Sequence, residues 1–368
     1  MIIMADQQSK HASITSVVGT WYSKKVLQDF EPMTQFYNLA PVTAQIPKSE
    51  GKTINFDRYL KIDALYKDDT DEFTAQQSYL SAQVVTATLH ERDSFVQLSR
   101  YAVLTARNNI LDKAVKMVQQ QGAKTIDKLV RNDIGMAVAD VAAASSVNMN
   151  NLAIDGGTLN SSGITARVWS HDQAASGDRF PMYHNKTRLA QSALVTSFAA
   201  SAMTMKTIQH GVSVLEGKDV PTLSDGNYGL ITHPDVAYQI TTNPGFKGWF
   251  SPTSAEAARK SPSEVGVVAG VTVHKSTQAY KFPLSGDTLS TSSGNLYCSL
   301  LFGEEAYGVA DVTGADGGRK GFSFYLKESG PQSTNDPTNK IKQAGFSITA
   351  VGKVLNKSAG LWILTTGL

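Results

Sequence analysis

The side chains from which a general base or a metal ligand would come are the seven histidines, at positions 11, 90, 171, 184, 210, 233 and 274. No two stand four residues apart, the spacing that puts two imidazoles on one helix face, and no HExxH occurs, so no metal site is expected. The tightest acid–base pair is His233 and Asp235 on either side of Pro234, types that could serve a hydrolytic proton relay. The proline makes this a turn in which the two side chains need not converge. No nucleophile elbow (GxSxG), phosphate loop (GxxxxGK[ST]) or dinucleotide fingerprint (GxGxxG) accompanies it. Hydrogen bonding within a turn is therefore the expected role, with a His233/Asp235 hydrolase kept as the alternative from another class.

Asp336-Pro337, within Ser333–Asn339, has the oxygen-rich look of a calcium loop but lacks the glycine and the closing glutamate of one. The single cysteine, Cys298, lies in an apolar β-rich run and reads as a small core residue rather than a nucleophile. One cysteine also excludes an intramolecular disulfide and a thiolate cluster. No catalytic residue, metal or cofactor is expected.

What has to position these residues is an ordinary globular chain. Of 368 residues 41% are hydrophobic and 18% charged, which excludes wholesale disorder. With 34 basic and 32 acidic residues the net charge is +2, too balanced for a protein that holds nucleic acid by neutralising phosphates. No apolar run of about 18 residues is present and the first ten residues lack the apolar core of a signal peptide, so a soluble product of a reducing compartment, without a membrane partner, is expected.

Residues 1–48 read as an arm. Ser16–Phe30 suits a short amphipathic helix, and prolines at 32, 41 and 47 interrupt regular structure after it. Its aromatic anchors Trp21, Phe30, Phe36 and Tyr37 pack either on their own domain or on a neighbouring subunit. Residues 51–60 alternate apolar and polar as a half-buried strand, and 83–98 read as a second strand or a pair. The polar connection between them, Lys61–Ala82, carries Asp68, Asp69, Asp71 and Glu72, and is too long for an ordinary hairpin loop.

Apolar residues recur at three-, four- and seven-residue steps through 103–144, from Leu104 to Val141. Arg107, Asp112, Lys113, Lys116, Lys124, Lys128 and Arg131 fall on the opposite face. The spacing predicts one helix of about 60 Å, thinned or kinked at Gly122. Residues 145–184, rich in Ser, Asn and Gly, read as an insertion, with a second helix at about 186–210 capped by Asn185. Asn227–Thr232 reads as a strand entering the His233 turn, with a short helix over Val236–Thr241. Residues 244–262 read as exposed, and the apolar runs Val265–His274, Leu296–Phe302, Phe322–Leu326 and Ala344–Leu355 make the last third mainly sheet. The class is α+β.

This order of an arm, a long acidic-tipped hairpin, a very long helix and a mixed helix–sheet remainder resembles the Hong Kong 97-type phage capsid fold. Several words are similar to the capsid-protein family of the N-four-like podophages: Lys124–Ile134 (KTIDKLVRNDI), Gly229–Ile240 (GLITHPDVAYQI), Gly303–Gly308 (GEEAYG), and Asp336-Pro337 with Ala344–Lys353 (AGFSITAVGK) after it. They spread over roughly residues 50–362 in the family's order; the stretches 145–180 and 244–262 depart from it.

The resemblance implies an N-terminal arm at 1–48, an extended E-loop at 49–99 and a peripheral domain at 100–211 with its spine helix at about 103–144. It implies an axial domain mainly at 212–300 and a return to the peripheral domain at 301–368. The implied function is a major capsid protein that self-assembles as hexamers and pentamers into an icosahedral shell around double-stranded DNA, located in the virion and assembled in the host bacterial cytoplasm. Implied partners are further copies of the chain, portal and scaffolding proteins, and in some relatives cement proteins, with DNA held non-specifically. The acidic residues Asp68, Asp69, Asp71 and Glu72 would then meet the basic stretch of a neighbour, Arg319, Lys320, Lys327, Lys340 and Lys342. An encapsulin-like nanocompartment shell is the alternative within the same fold.

Overall fold

The computed structural model describes residues 34–47, 51–62, 79–105, 110–135, 138–140, 167–169, 180, 182–184, 187–188, 202–242, 250–251, 263–284, 294–312, 321–327 and 340–366. The chain begins there with a single helical turn, α1 (Gln35–Asn38), and three strands, β1 (Val42–Ile46), β2 (Thr53–Tyr59) and β3 (Ala82–Thr88). Strand β4 (Glu91–Ser99) leads into α2 (Arg100–Thr105) and the longest helix, α3 (Ile110–Ile134). Four short strands come after it: β5 (Val138–Asp140), β6 (Arg167–Trp169), β7 (Met182–His184) and β8 (Thr187–Arg188). Helix α4 (Met205–Glu216), strand β9 (Tyr228–Thr232) and helix α5 (Pro234–Thr242) come next. The remainder is sheet: β10 (Phe250–Ser251), β11 (Glu264–Val268), β12 (Val271–Lys275), β13 (Tyr280–Leu284), β14 (Gly294–Phe302), β15 (Tyr307–Val312), β16 (Phe322–Lys327), β17 (Ile341–Val354) and β18 (Gly360–Thr366).

Two sheets organise these elements. The first runs β1-β15-β17-β16, with β4 also paired to β17, so the central part of β17 has a partner on each side. Helix α3 lies on this sheet. Its buried positions, among them Leu111, Ala114, Val115, Val118, Ile126, Leu129, Val130 and Ile134, recur every three or four residues, the spacing that lines one helix face. Gly122 and Ala123 bring helix and sheet close together, because a β-carbon on Gly122 would overlap the Phe322 ring, itself stacked on Phe346. Gly122 thus serves a close approach within an unbroken helix rather than a kink.

The second sheet runs β10-β11-β12-β9-β14-β18-β7-β8, with β13 paired to β14. Its β11–β12 hairpin turns through Ala269 (φ 49°) and Gly270 (φ 75°), both left-handed, as a twist-matched two-residue turn requires. One hydrophobic core joins the two sheets, running from Phe36 through α3 to Leu230, Leu301 and Trp362. A smaller cluster of Ile46, Leu89 and Ala310, with Ile54 and Phe56 against it, seats the base of the β2–β3 hairpin.

Two expectations are corrected. The helix expected over 103–144 ends earlier: the described helical residues are those of α2 and α3, and α3, with 25 residues, is about 37 Å long and stops at Ile134. At Gly135 a β-carbon would collide with the Tyr280 hydroxyl, and residues 138–140 pair as a strand with 167–169. The helix expected at 186–210 begins instead after Thr204, whose hydroxyl accepts the Thr207 amide at 3.3 Å, while Thr187–Arg188 belongs to a strand. The strand β18, in the last described stretch, pairs with β14 and β7 in the second sheet. Local pattern could not reveal this, since the pairing joins strands some sixty residues apart.

The approach of α3 to its sheet yields a direct test. Gly122→Leu places a branched side chain where the Phe322 ring sits and is expected to destabilise the fold by about 1–3 kcal/mol through overpacking. Urea unfolding followed by tryptophan fluorescence measures this, and an unchanged midpoint would place the glycine there for some other reason.

Candidate inter-subunit surface

Among the described residues, two of the places where apolar surface lies uncovered are the β2–β3 hairpin and one face of the first sheet. The first is the far end of the β2–β3 hairpin. One face of the ribbon, Ile54 and Phe56 opposite Ala87 and Val85, is turned to the small core cluster. Beyond that seat Tyr59, Leu60, Ile62, Tyr79, Leu80 and Val84 are exposed, Leu80 at 65% and Tyr79 at 77%. Lys61 ties this part of the hairpin to the end of α4: its ammonium donates to the Lys218 carbonyl at 2.7 Å and lies 3.3 Å from the Asp219 carboxylate. A two-stranded ribbon with this much exposed apolar surface is marginal alone in water and gains stability by lying on another surface.

The second place is the face of the first sheet turned away from α3. Tyr325, Gly345 and Phe95 stand side by side in register across β16, β17 and β4. The rings of Phe95 and Tyr325 are 64% and 52% exposed, whereas the next row on the other face, Phe324 and Phe346, is buried in the core. Two exposed aromatics flanking a glycine make a shallow apolar platform, the kind of feature that anchors interfaces.

Of the residues expected to join subunits, Asp68, Asp69, Asp71 and Glu72, the basic Arg319 and Lys320, and the anchors Trp21 and Phe30 lie outside the described residues. Phe36 and Tyr37 are buried in the chain's own core. The Tyr37 hydroxyl donates to Asp311 at 2.7 Å, and the Phe36 carbonyl accepts from the Tyr307 hydroxyl at 3.0 Å. Lys327, Lys340 and Lys342 gather where β16 ends and β17 begins, but strand alternation puts Lys327 on the platform face with Tyr325 and Lys342 on the face towards α3.

The junction behind Phe36 and Tyr37 holds two charged groups on α3. Arg131, expected on the polar face of the helix, is fully buried. Its guanidinium lies 4.2 Å from the centre of the Tyr280 ring and donates to the Gln278 carbonyl and to Asn132. Asp127, one turn earlier, is also fully buried and accepts the Phe36 amide at 2.7 Å. The apolar spacing around both residues was visible in the sequence; apart from Asn132, the partners that let charges be buried there come from elements ninety or more residues away.

His233 and Asp235 do converge. The His233 Nδ1 accepts the Asp235 amide at 3.2 Å and lies 3.3 Å from the Asp235 carboxylate, which also accepts from the Tyr297 hydroxyl and, at 3.2 Å, from Lys281. The hydrogen bond from Tyr297 holds Asp235 below its ordinary carboxylate value. Partial burial pushes Tyr297 up, and the Asp235 carboxylate adds to this. Burial outweighs Asp235 at His233 and keeps that imidazole neutral. Lys281, against the effect of its own burial, is held above its usual value by Asp235 and Tyr297. Each group is driven away from neutrality-range titration, the reverse of what a general acid or base requires. The cluster reads as a brace between the turn after β9 and the β13–β14 pair. The other buried nucleophile, Cys298, has its thiol pushed well up by burial in the core. Among the described residues no grouping of His, Cys, Asp and Glu could hold a metal, and no helix is long and apolar enough to cross a membrane.

The backbone as a whole resembles solved phage shells along its length. It is similar to the capsid of Ralstonia phage GP4, at 13% identity and a TM-score of 0.59 over 100% of this chain and 96% of that one. The head of Helicobacter pylori bacteriophage KHP40 matches at 10% identity and a TM-score of 0.53, over 92% and 91% of the two chains. The capsid of the cyanophage P-SCSP1u matches at 13% identity and a TM-score of 0.51, over 92% and 90%. No family model matches the sequence, and no curated protein does. The chain has the α+β, Hong Kong 97-type fold of phage capsid subunits.

The brace around Asp235 can be tested. Asp235 is depressed in the folded state, so what its hydrogen bonds contribute is present above the ordinary value of 3.8 and is lost as pH falls through that range. Tyr297→Phe is expected to lower stability at pH 7 by about 1 kcal/mol or less, Asp235 being half exposed, with the difference vanishing in acid. Denaturant titrations of both proteins at pH 7 and pH 3 check this; a difference that persists in acid would assign the loss to packing.

Proposed function

We propose that the chain is the major capsid protein of a tailed phage, closing as hexamers and pentamers into an icosahedral shell around packaged double-stranded DNA. The observation that carries this is the fold, shared with phage shell subunits over nearly the whole length of both chains, together with a projecting hairpin whose far end is apolar and uncovered. In this reading the β2–β3 hairpin is the E-loop, α3 the spine, and residues 1–48 the arm. The first sheet belongs to the peripheral domain and residues 212–300 mainly to the axial domain around the five- and six-fold axes. The subunit acts in the virion after assembly in the host cytoplasm, where portal and scaffolding proteins, with a cement protein in some shells, are its partners. It contacts DNA without sequence preference, in keeping with a net charge of only +2.

The acidic residues Asp68, Asp69, Asp71 and Glu72 serve here as the tip that meets a neighbour's basic residues, Arg319, Lys320, Lys327 and Lys340, with Lys342 set on the other face of its strand. Interlocking of this kind spreads each subunit over several neighbours, so modest contacts add up through multiple attachment. The role is structural, and no catalytic residue is assigned.

Negative-stain electron microscopy with size-exclusion chromatography on the purified protein is expected to show closed angular shells or sheets of hexamers. A protein that stays monomeric with its scaffolding partner present would overturn the reading. Reversing Asp68, Asp69 and Asp71 to lysine is expected to lower assembly yield and salt resistance, and unchanged assembly would remove the tip from the contact. Leu80→Asp is expected to leave the circular dichroism spectrum of the subunit intact while blocking particle formation, because Leu80 touches little in its own chain.

A further inference from the structure

The β2–β3 ribbon meets the body of the chain at its base and again at Lys61. At the base, Gly51 turns the chain into β2 with φ 107°, a backbone shape that favours glycine, and stands in open space. The Leu89 amide donates to the Lys52 carbonyl at 2.7 Å, closing the ribbon where Ile54 and Phe56 rest on the small cluster. From Ile54 to Lys61 the extended chain makes a lever of roughly 23 Å. Along it Tyr59, Leu60 and Val84 are exposed. The Leu60 amide still pairs with the Ser81 carbonyl at 2.9 Å, so Lys61 is carried by the ribbon and moves with it.

What Lys61 reaches is a corner built by the end of α4. There the Lys218 amide donates to the Leu215 carbonyl at 3.0 Å, the Asp219 amide to Glu216 at 2.8 Å and the Val220 amide to Leu215 at 3.1 Å. Asp219 takes up the left-handed conformation (φ 52°) that usually falls to glycine or asparagine at a helix end. The Lys218 and Asp219 carbonyls accept from the Lys61 ammonium at 2.7 and 3.2 Å, beside the Asp219 carboxylate at 3.3 Å. Three oxygens at the negative end of a helix dipole thus meet one cation. The corner itself is fixed to the second sheet. Val220 is buried and its carbonyl accepts the Tyr228 hydroxyl at 2.8 Å, while the Pro221 carbonyl accepts the Glu304 amide at 3.0 Å.

We propose that Lys61 and this corner form an ionic latch, which sets the direction of the ribbon and lets it swing about Gly51 when the contact is screened or displaced. The side chains of Lys61 and Asp219 are 63% and 89% exposed, so water and salt reach the contact and hold it weak. A weak contact suffices, because it acts at the end of the lever, where a small force fixes the angle. Its weakness also lets a stronger contact at the apolar end of the ribbon replace it. The latch works within one chain and stands whether or not the chain builds a shell.

Pulsed electron paramagnetic resonance on the full chain tests it, with nitroxides on Gln83→Cys of the ribbon and Ser213→Cys of α4. Excess unlabelled chain ensures that only distances within one chain are read. The native thiol, Cys298, is buried and takes no label. At low salt one narrow distance distribution is expected. Lys61→Met is expected to broaden it, and Lys61→Arg, which keeps the cation, to leave it narrow; both keep the fold, Lys61 being exposed. About 1 M sodium chloride, where charges act over only about 3 Å, is expected to broaden it without any substitution. A distribution that stays narrow in the Met variant overturns the latch. So does one that is already broad at low salt, or one that the salt leaves unchanged.

Discussion

Everything in this subunit leans on the burial of α3. A helix of 25 residues lies on the first sheet at the distance set by Gly122, and its last turns reach the second sheet through Arg131 and Tyr280. Its other neighbour is the turn at Phe36 and Tyr37, fastened through Asp127. Because one core runs from Phe36 to Trp362, shifting the helix would disturb both sheets at once. Burying Asp127 and Arg131 there adds little net stability, since each loses its hydration. Their contribution is geometric, because an alternative packing would strand a charge in the core.

What such a body leaves outside is as informative as what it encloses. The base of the β2–β3 hairpin is seated by a small cluster around Ile46, Leu89 and Ala310, while its far end keeps tyrosine, leucine and isoleucine in water. The platform of Phe95, Gly345 and Tyr325 is a second uncovered region, on a different part of the same chain. Two unlike patches on one chain are suited to head-to-tail contacts, which close into rings when the rotation allows. An apolar ribbon is poorly stable by itself and becomes stable as the interface forms. In the proposed shell, folding and assembly are linked by the same hydrophobic term.

The cluster at His233 shows how easily residue types suggest chemistry that a local environment withholds. An imidazole, a carboxylate, a phenol and an ammonium converge within hydrogen-bonding distance, yet burial at His233 and Tyr297, and hydrogen bonding at Asp235 and Lys281, drive each towards a fixed protonation state. A catalytic dyad needs one group poised to give up or accept a proton near neutrality. Here the mutual stabilisation makes a rigid corner between β9, α5 and the β13–β14 pair.

Periodicity and turn chemistry made a large part of this molecule legible from the chain alone. Alternation in 51–60, the three-four spacing of 110–134 and the strand–turn–helix around His233 are local consequences of which side chains must face the core, so residues near in sequence suffice to read them. The acidic hairpin, the long helix and the sheet-rich final third, in that order, were enough to name a capsid-type fold. Tertiary structure decided the rest. The residue just past α3 must be the glycine Gly135 because Tyr280, nearly 150 residues away, fills the space a β-carbon would take. Arg131 reads as a surface residue until Gln278 and Tyr280 arrive to receive it, and Asp127 becomes a cap only because Phe36 folds back onto it. The last strand joins the second sheet because β14 and β7 offer it two edges. In each case the deciding term is the desolvation or pairing of a group by a partner distant in sequence, and local pattern carries no information about such partners.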